Sequence, residues 1–397
     1  MKYLFITQVW PRQSKENNMY SDLVRVICNH GHEVTVLVIN EKRNNEPTRM
    51  EYINGLRVLK VKCGNIQKTN KYTKVISSLT AGPKLWHACR HHLKKEKYDC
   101  VIWALSTMLI ENYVMKIKKY FGAKLYLLLK EYWPDDPADL GAMRKDGAVY
   151  KIFSYIEKRM LRGADYIGVC SEAGLEYVKR RLPKTNVAAE VCPNCEISRT
   201  SDKNRNVVRK KYSVPQNSVL FIFGGNLGLS QGIDDMIAQI KEASVNEKAF
   251  FLILGSGTEY KRVEKKLNGY NGRVSVLPAV SYSEFYDICH AADIGMLFLF
   301  RNYSVPNIPG KFTTYLNSGL PVLGAIDKTT DVGSILEEYN CGFSCLNGDT
   351  AEFVKLVDKI VADTETLKDM SVNAKKLFEK KYSAEVCAEI IESHFKQ

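Results

Sequence analysis

No run of eighteen apolar residues occurs in the 397-residue sequence, so it offers no helix of the kind that crosses a membrane. Nor is there an HExxH among the seven histidines, or a second CxxC to complete Cys192-Pro193-Asn194-Cys195. A structural zinc site needs four ligands, and no metal is expected. The eleven cysteines are odd in number and scattered, often inside apolar runs. They read as reduced thiols used as small core residues of a cytosolic protein, not as a disulfide framework. Short repeats and low-complexity segments are absent. So is any recognisable nucleic-acid-binding module or aromatic stacking platform, which removes nucleic acid from the expected partners. The opening MKYLFITQVW lacks a small-residue cleavage site and continues into an alternating pattern, so it reads as a first strand and not as a signal peptide.

Acidic residues are scarce in one half only. Residues 1–200 carry 34 Lys and Arg against 20 Asp and Glu, whereas residues 201–397 carry 23 against 24. The first half therefore holds all of the net charge of +13. The excess concentrates over Lys68 to Lys97 and Lys116 to Lys119, mixed with Val75, Ile76, Leu79, Leu85, Trp86 and Leu93. A basic, partly apolar helical surface suits an anionic lipid surface or an anionic acceptor. The alternative is a solvated helix face that happens to be basic. The first reading places the protein in the cytoplasm, peripheral on the inner face of the cell membrane.

Short apolar runs alternate with helical patterns along both halves. Strands are expected at 2–9, 33–39, 55–61, 100–103, 124–129, 166–170 and 187–191, with helices between them and a polar loop over 10–18. Strand, helix, strand within forty residues implies right-handed parallel units, hence an α/β, doubly wound sheet. From Glu196 to Asn217 the composition turns polar and charged, which marks a boundary. A second alternating set follows, with strands at 219–223, 249–254, 274–277, 294–299 and 321–325. Three helical stretches close the chain, at 350–362, 364–381 and 383–396. The expected architecture is two doubly wound, Rossmann-like domains facing across a cleft, with ligands beyond the carboxyl ends of the strands.

The segment Leu220 to Gly232, LFIFGGNLGLSQG, is the most informative. An apolar run, Leu220 to Phe223, leads into Gly224-Gly225-Asn226-Leu227-Gly228. A helix then opens near Gly232 with Ile233, Met236, Ile237 and Ile240 at helical spacing. Strand, glycine turn, helix brings bare backbone N–H groups and a positive helix end up to a phosphate. Glycine turns between strand and helix also occur for packing reasons alone.

Taken in order, these and further segments resemble the glycosyltransferases of the GT-B fold, specifically the family 4 group of retaining enzymes that build bacterial surface polysaccharides. Gly31-His32-Glu33-Val34-Thr35-Val36 is similar to that family's first helix-to-strand junction. Trp133-Pro134-Asp135 followed by Gly141 resembles a loop of the branch that transfers N-acetylated amino sugars. Pro193-Asn194 matches the Pro-Asn before the linker, with Cys195 where glycine is usual. Gly225-Asn226-Leu227-Gly228 with Gln231-Gly232 resembles the phosphate turn, and Leu254-Gly255-Ser256-Gly257 the next one. Lys311-Phe312 with Tyr315-Leu316, then Ser318-Gly319-Leu320-Pro321-Val322, resembles the donor-sugar helix.

The resemblance implies an acceptor-binding domain at 1–195, a linker at 196–217, a nucleotide-sugar-binding domain at 218–375, and a helix at 376–397 crossing back to the first domain. It implies no cofactor and no metal, only a nucleotide-sugar donor, UDP-linked, whose diphosphate is neutralised by backbone amides, a helix end and basic side chains. The donor contacts it points to are Gly225, Asn226, Leu227, Gln231, Gly255, Ser281, Asn307, Ile308, Gly310 and Thr314. Trp10 and Trp133 are the acceptor candidates, and Lys311, Glu131 and Asp135 the catalytic ones. Two positions depart from the pattern. Where the family usually carries two glutamates eight apart, this chain has Pro306 and Thr314, and the usual lysine of the phosphate turn is Gln231. A neutral amide donates a hydrogen bond but supplies no charge, which leaves Lys311 as the diphosphate cation.

The expected activity is transfer of a sugar, an N-acetylated hexosamine or its deoxy form, to a lipid-linked saccharide acceptor in capsule or O-antigen synthesis. The rival reading, motivated by the missing glutamates, is a catalytically silent nucleotide-sugar-binding subunit that needs a partner subunit. A nucleotide-sugar epimerase is a weaker rival, because it needs acid and base carboxylates near the sugar and residues 304–315 carry none.

Overall fold

Apolar runs long enough to be buried on both faces, separated by amphipathic segments, dictate parallel sheets covered by helices. The computed structural model has two such sheets, and it describes residues 1–11, 17–67, 69–105, 107–185 and 187–395. Part of the polar loop expected over 10–18, Lys68 at the head of the basic stretch, and residue 396 of the last expected helix lie outside the described residues. The chain divides into unit 1, Met1–Ile197 with Cys387–Gln397, and unit 2, Ser198–Val386.

Unit 1 is an eight-stranded sheet of β1 (Lys2–Thr7), β2 (Glu33–Glu41), β3 (Arg49–Ile53), β4 (Leu56–Cys63), β5 (Cys100–Ala104), β6 (Lys124–Leu128), β7 (Tyr166–Val169) and β8 (Ala188–Val191). The spatial order is β3-β4-β2-β1-β5-β6-β7-β8, parallel except for β3, which runs antiparallel to β4. Its helices are α1 (Met19–Asn29), α2 (Lys71–His92), α3 (Glu111–Phe121), α4 (Asp135–Asp139), α5 (Ala148–Gly163) and α6 (Glu172–Arg181). Asn18 opens α1 by accepting from the amides of Tyr20 and Ser21, while Ser21 Oγ accepts from the Asn18 amide. Such reciprocal capping satisfies donors that a helix start leaves unpaired. Strand β3, which forms a hairpin with β4, is an addition to the expected strands. It turns on Asn54 and Gly55, both at positive φ.

Unit 2 holds a six-stranded parallel sheet of β9 (Val219–Asn226), β10 (Ala249–Ser256), β11 (Val274–Pro278), β12 (Ile294–Phe298), β13 (Val322–Ile326) and β14 (Gly342–Leu346), ordered β11-β10-β9-β12-β13-β14. The strand order reverses beside β9, and β9 therefore ends at the sheet's switch point. Nine helices of this unit and its exit are α7 (Arg205–Lys211), α8 (Ile233–Ala243), α9 (Tyr260–Leu267), α10 (Tyr282–Ala291), α11 (Gly310–Asn317), α12 (Val332–Glu338), α13 (Thr350–Ala362), α14 (Thr366–Leu377) and α15 (Ala384–Ser393). Ile233, Met236, Ile237 and Ile240 of α8 are buried together with Phe221, Phe223 and Phe251 in one core. Residues one helical turn apart share a face, which is why that spacing drives the helix onto the sheet.

Two boundaries differ from expectation. The segment 196–217 is not a bare linker: it contains α7, which buries Val208 and pairs Arg209 with Asp293 at 3.0 Å. The closing helices do not cross as one rod from 376. α14 stops at Leu377, a wide turn spans Phe378–Tyr382, and only the part of α15 from Cys387 onward belongs to unit 1. There Glu392 meets His30 at 3.0 Å and His394 stacks on Tyr166 with ring centroids 3.9 Å apart.

All eleven cysteines are free thiols, and nine of them are buried. The Cys192–Cys195 pair is among the buried ones.

Candidate active site

Strand β9 runs out at Gly224-Gly225-Asn226, so the glycines extend the strand before the chain turns. Gly225 has a φ of +124°, a region in which a side chain is strained. Gly225 and Asn226 are exposed, and Gly255 of β10 lies in register beside Gly225. A Cβ on Gly255 would stand 2.5 Å from the Gly225 carbonyl, so the two strand ends approach as closely as bare backbone permits.

Lys311, the second residue of α11, reaches into this notch. Its Nζ stands 3.7 Å from where a Gly225 Cβ would be, and 3.7 Å from the centroid of the Phe223 ring. Among the described residues no carboxylate or carbonyl pairs with the ammonium. Burial without a counter-charge pushes its pKa down to about 7. Beside it, the amides of Gly310 and Lys311 open α11 and have no intrahelical acceptor. An unpaired ammonium, a helix start and two glycines at a sheet switch point make a place for a diphosphate.

The remaining donor candidates of unit 2 fall into three groups. Asn226 is exposed at the strand end, and Gly310 is exposed at the start of α11. Asn307 and Ile308 precede that helix; the Asn307 carbonyl accepts from the Thr330 hydroxyl at 2.7 Å, and the Ile308 side chain is buried. One expectation needs correction. Leu227 is fully buried in the core, its amide bonded to the Ser256 carbonyl and its carbonyl to the Glu259 amide, so it has nothing to offer a ligand. Thr314 is buried on α11. Gln231 accepts from the Gly228 amide on Oε1 at 3.0 Å, which shapes the turn. Ser281 caps α10 by accepting from the Glu284 amide at 3.2 Å.

In unit 1, Trp10 lines a polar pocket of about 470 Å³ with Gln8, Asn40, Glu41, Arg43 and Lys60. The indole is 9% exposed and its Nε1 has no hydrogen-bond partner among the described residues. A buried donor without an acceptor is costly, which makes this N–H a candidate contact for a ligand of the pocket. Glu41 is fixed by amides of Ile66 and Gln67 and by Gln8 Nε2.

Glu131 and Asp135, expected as a carboxylate cluster, have different fates. Glu131 is exposed, yet protein-rich surroundings and the Asp136 carboxylate push its carboxyl up to about 7, with Lys74 opposing. A group can be reached by water and still be poorly solvated. Asp135 is a correction: it is buried, with Oδ1 accepting from Tyr150 at 2.5 Å and Oδ2 from Tyr177 at 2.8 Å. Tyr177 also lies 2.6 Å from Glu157, whose carboxyl burial raises to about 7. One phenolic proton cannot serve two carboxylates, so a proton on Glu157 completes this network. Asp135 thereby anchors the start of α4 and is unavailable to a substrate. Trp133 is half-buried, 5.3 Å from the Phe153 ring.

The structure thus unites Lys311, Gly225, Asn226 and Gly255, and it buries the side chains of Leu227, Thr314 and Asp135. Phe223, the ring beneath Lys311, and Glu41 and Lys60 of the Trp10 pocket were not singled out in the sequence. Their signal was positional: each lies in a strand, Glu41 at its end. Among the described residues no three His, Cys, Asp or Glu side chains are grouped to hold a metal.

Residues 204–377 match the family model described as "Glycosyl transferases group 1". The chain is 22% identical over 252 residues to the probable glycosyltransferase WbjE of Pseudomonas aeruginosa, covering 60% of each chain. It is 23% identical over 269 residues to the putative colanic acid biosynthesis glycosyl transferase WcaI of Escherichia coli, covering 65% of each. The match therefore spans less than two thirds of the length of either relative. Among solved structures, Anabaena HepE in complex with UDP and glucose superposes with a TM-score of 0.72 at 14% identity, over 99% of both chains. The fold is GT-B.

Proposed function

We propose that the chain is a glycosyltransferase that moves a sugar from a nucleotide diphosphate donor, held in unit 2, to a saccharide acceptor bound by unit 1. The observation that carries this reading is the unpaired Lys311 ammonium above the bare backbone of Gly225. Negative charge grows on the leaving diphosphate during transfer, so a fixed cation and fixed amides there stabilise the transition state more than the ground state. The group 1 domain match over 204–377 supports the same assignment.

The finer parts of the proposal are these. The donor is UDP-linked, in line with the UDP bound by HepE. The sugar is an N-acetylated hexosamine or deoxyhexosamine, the reaction retains configuration, and no metal takes part. The acceptor is a lipid-linked saccharide of capsule or O-antigen synthesis, in line with the colanic acid biosynthesis for which WcaI is named. Its sugar end enters the Trp10 pocket, and Trp133 and Glu131 lie on its path. The protein works peripherally on the cytoplasmic face of the membrane. A second reading, a nucleotide-sugar-binding subunit that acts with a partner subunit, is favoured by one observation: Pro306 and Thr314, where the resembling family has glutamates, are both buried and carry no carboxylate.

A panel of nucleotide-sugars, read by thermal shift and by donor hydrolysis with Lys311→Ala as control, tests the proposal. One donor that stabilises the wild type, is slowly hydrolysed and loses both effects in the variant supports transfer. Stabilisation without hydrolysis supports the partner-dependent subunit. No stabilisation by any donor refutes both.

A further inference from the structure

The buried side of helix α2 is built mostly from small residues, Ser77, Ser78, Ala81, Ala88 and Cys89, together with Leu85. Tyr72, Val75, Ile76 and Leu79 instead face solvent, between 51% and 83% exposed. Their spacing puts them on one stripe, where a helix of an ordinary soluble domain is polar. Helix α5 repeats the arrangement with Val149, Ile152 and Tyr155, all more than half exposed. Single exposed apolar side chains are common, but two aligned stripes are not.

The two stripes belong to one face. α2 and α5 both touch the turn Met108–Ile110. Trp133 joins their first halves, with Lys74 of α2 over its ring at 5.8 Å and Phe153 of α5 at 5.3 Å. The apolar residues therefore flank the loop proposed to meet the acceptor.

The charge of this face has one sign. No Asp or Glu occurs from Tyr52 to Lys95. The single acid of α5, Glu157, is buried against Arg181. Past Leu79 the solvent-facing line of α2 continues into a shallow basic pocket lined by His87, Arg90, His91, Lys94 and Tyr120. Among the described residues no carboxylate pairs with Arg90 or Lys94. No helix among the described residues is long and apolar enough to cross a membrane.

We propose that α2 and the first half of α5 form a docking face for the surface of an anionic lipid bilayer, with the apolar stripes entering the headgroup boundary and the cations of α2 meeting lipid phosphates. A bilayer surface is apolar beneath and anionic above, which is the complement of this face. The proposal rests on the reading of a lipid-linked acceptor, because docking beside Trp133 lets such an acceptor be used while its lipid stays in the membrane.

The test is sedimentation of the full chain with vesicles of phosphatidylcholine, with and without one third phosphatidylglycerol. The wild type is expected to bind the anionic vesicles and to be released by salt. Ile76→Glu with Ile152→Glu is expected to lower vesicle binding by about tenfold or more, since each adds a charge to the apolar stripe. Arg90→Ala with Lys94→Ala is expected to lower it by about fivefold per residue. Donor-dependent thermal shift and donor hydrolysis stay unchanged in both variants, which separates failure of docking from failure of the transfer reading. Wild-type binding that neither variant weakens overturns the proposal. So does an absence of binding to anionic vesicles, and self-association abolished by Ile76→Glu without vesicle binding would mean that a second copy covers the face.

Discussion

Replacing Lys311 by Met should make unit 2 more stable and abolish its hold on a nucleotide diphosphate. The ammonium sits partly buried over Phe223 with its pKa pushed down from about 10.5 to about 7. At 1.36 kcal/mol per unit, that depression corresponds to a folding penalty on the order of 5 kcal/mol while the group is charged. The cation–π contact returns ~0.5–2 kcal/mol, and local relaxation returns more. A net gain of about 2 kcal/mol for Lys311→Met is therefore expected, equivalent to about 4–8 °C in the midpoint of a domain of this size. The sign depends on pH. Below about pH 7 the folded lysine is protonated against its surroundings and the penalty is complete. From pH 7 towards 10.5 the unfolded chain holds a proton that the folded chain has released, so wild-type stability climbs and the gap to the variant closes. Calorimetric scans of both proteins at pH 6, 8 and 10, with and without UDP, check this. A variant that is less stable than the wild type at pH 6, or a gain that does not shrink as pH rises, refutes the assignment of Lys311 as an uncompensated cation. Equal UDP stabilisation of both proteins refutes its assignment as the diphosphate partner.

Four other substitutions probe the rest of the site. Gly255→Ala drives a methyl to 2.5 Å from the Gly225 carbonyl, so it should cost about 1–3 kcal/mol in urea unfolding and weaken donor binding by spreading β9 from β10. If Glu131 removes the acceptor proton, kcat/KM should rise with pH through about 7 as its carboxylate forms and fall as Lys311 loses its proton. Glu131→Gln should then flatten the acid limb, and Lys311→Arg the alkaline one, in pH–rate profiles; an unchanged profile removes either residue from the chemistry. Trp10→Phe removes the orphan indole N–H of the unit 1 pocket while keeping an aromatic ring. It should raise the acceptor KM by about tenfold with donor affinity unchanged, the loss of a single hydrogen bond; an unaltered acceptor KM disconnects that pocket from substrate.

Much of the fold was legible because buried parallel strands declare themselves as uninterrupted apolar runs, as in β1, β5 and β9. The strands that went unread are those without such runs. β3 is RMEYI, with two charges and mostly partial burial, and β14 is an edge strand with no fully buried residue. The Asn54-Gly55 pair was a readable hairpin signal, since both residues adopt the positive φ that such turns require. α7 was hidden because its one buried residue, Val208, sits among six polar or exposed ones, and its Arg205 and Arg209 anchor on Asp293 by charge. In the site, glycines and a lysine could be placed from order alone. What order could not give is direction: Leu227 and Asn226 are neighbours, yet one side chain fills the core and the other is exposed. Asp135 went astray for a related reason. Its partners Tyr150 and Tyr177 come from helices whose approach only the folded chain defines.

The path of the chain makes unit 1 a domain interrupted by another. Its last element, from Cys387, follows the whole of unit 2 in the sequence, and it fastens through Glu392 to His30 and through His394 to Tyr166 and Glu190. During synthesis, unit 2 has every residue it needs before unit 1 does. The half assigned to acceptor and membrane is therefore the last to be completed, and an unfinished chain can gather a nucleotide-sugar fold before it owns a finished surface on which to use it. A gene cut after Ile197 yields unit 1 without its closing helix; joining residues 387–395 to that fragment through a short linker is the form in which unit 1 can be expected to stand alone.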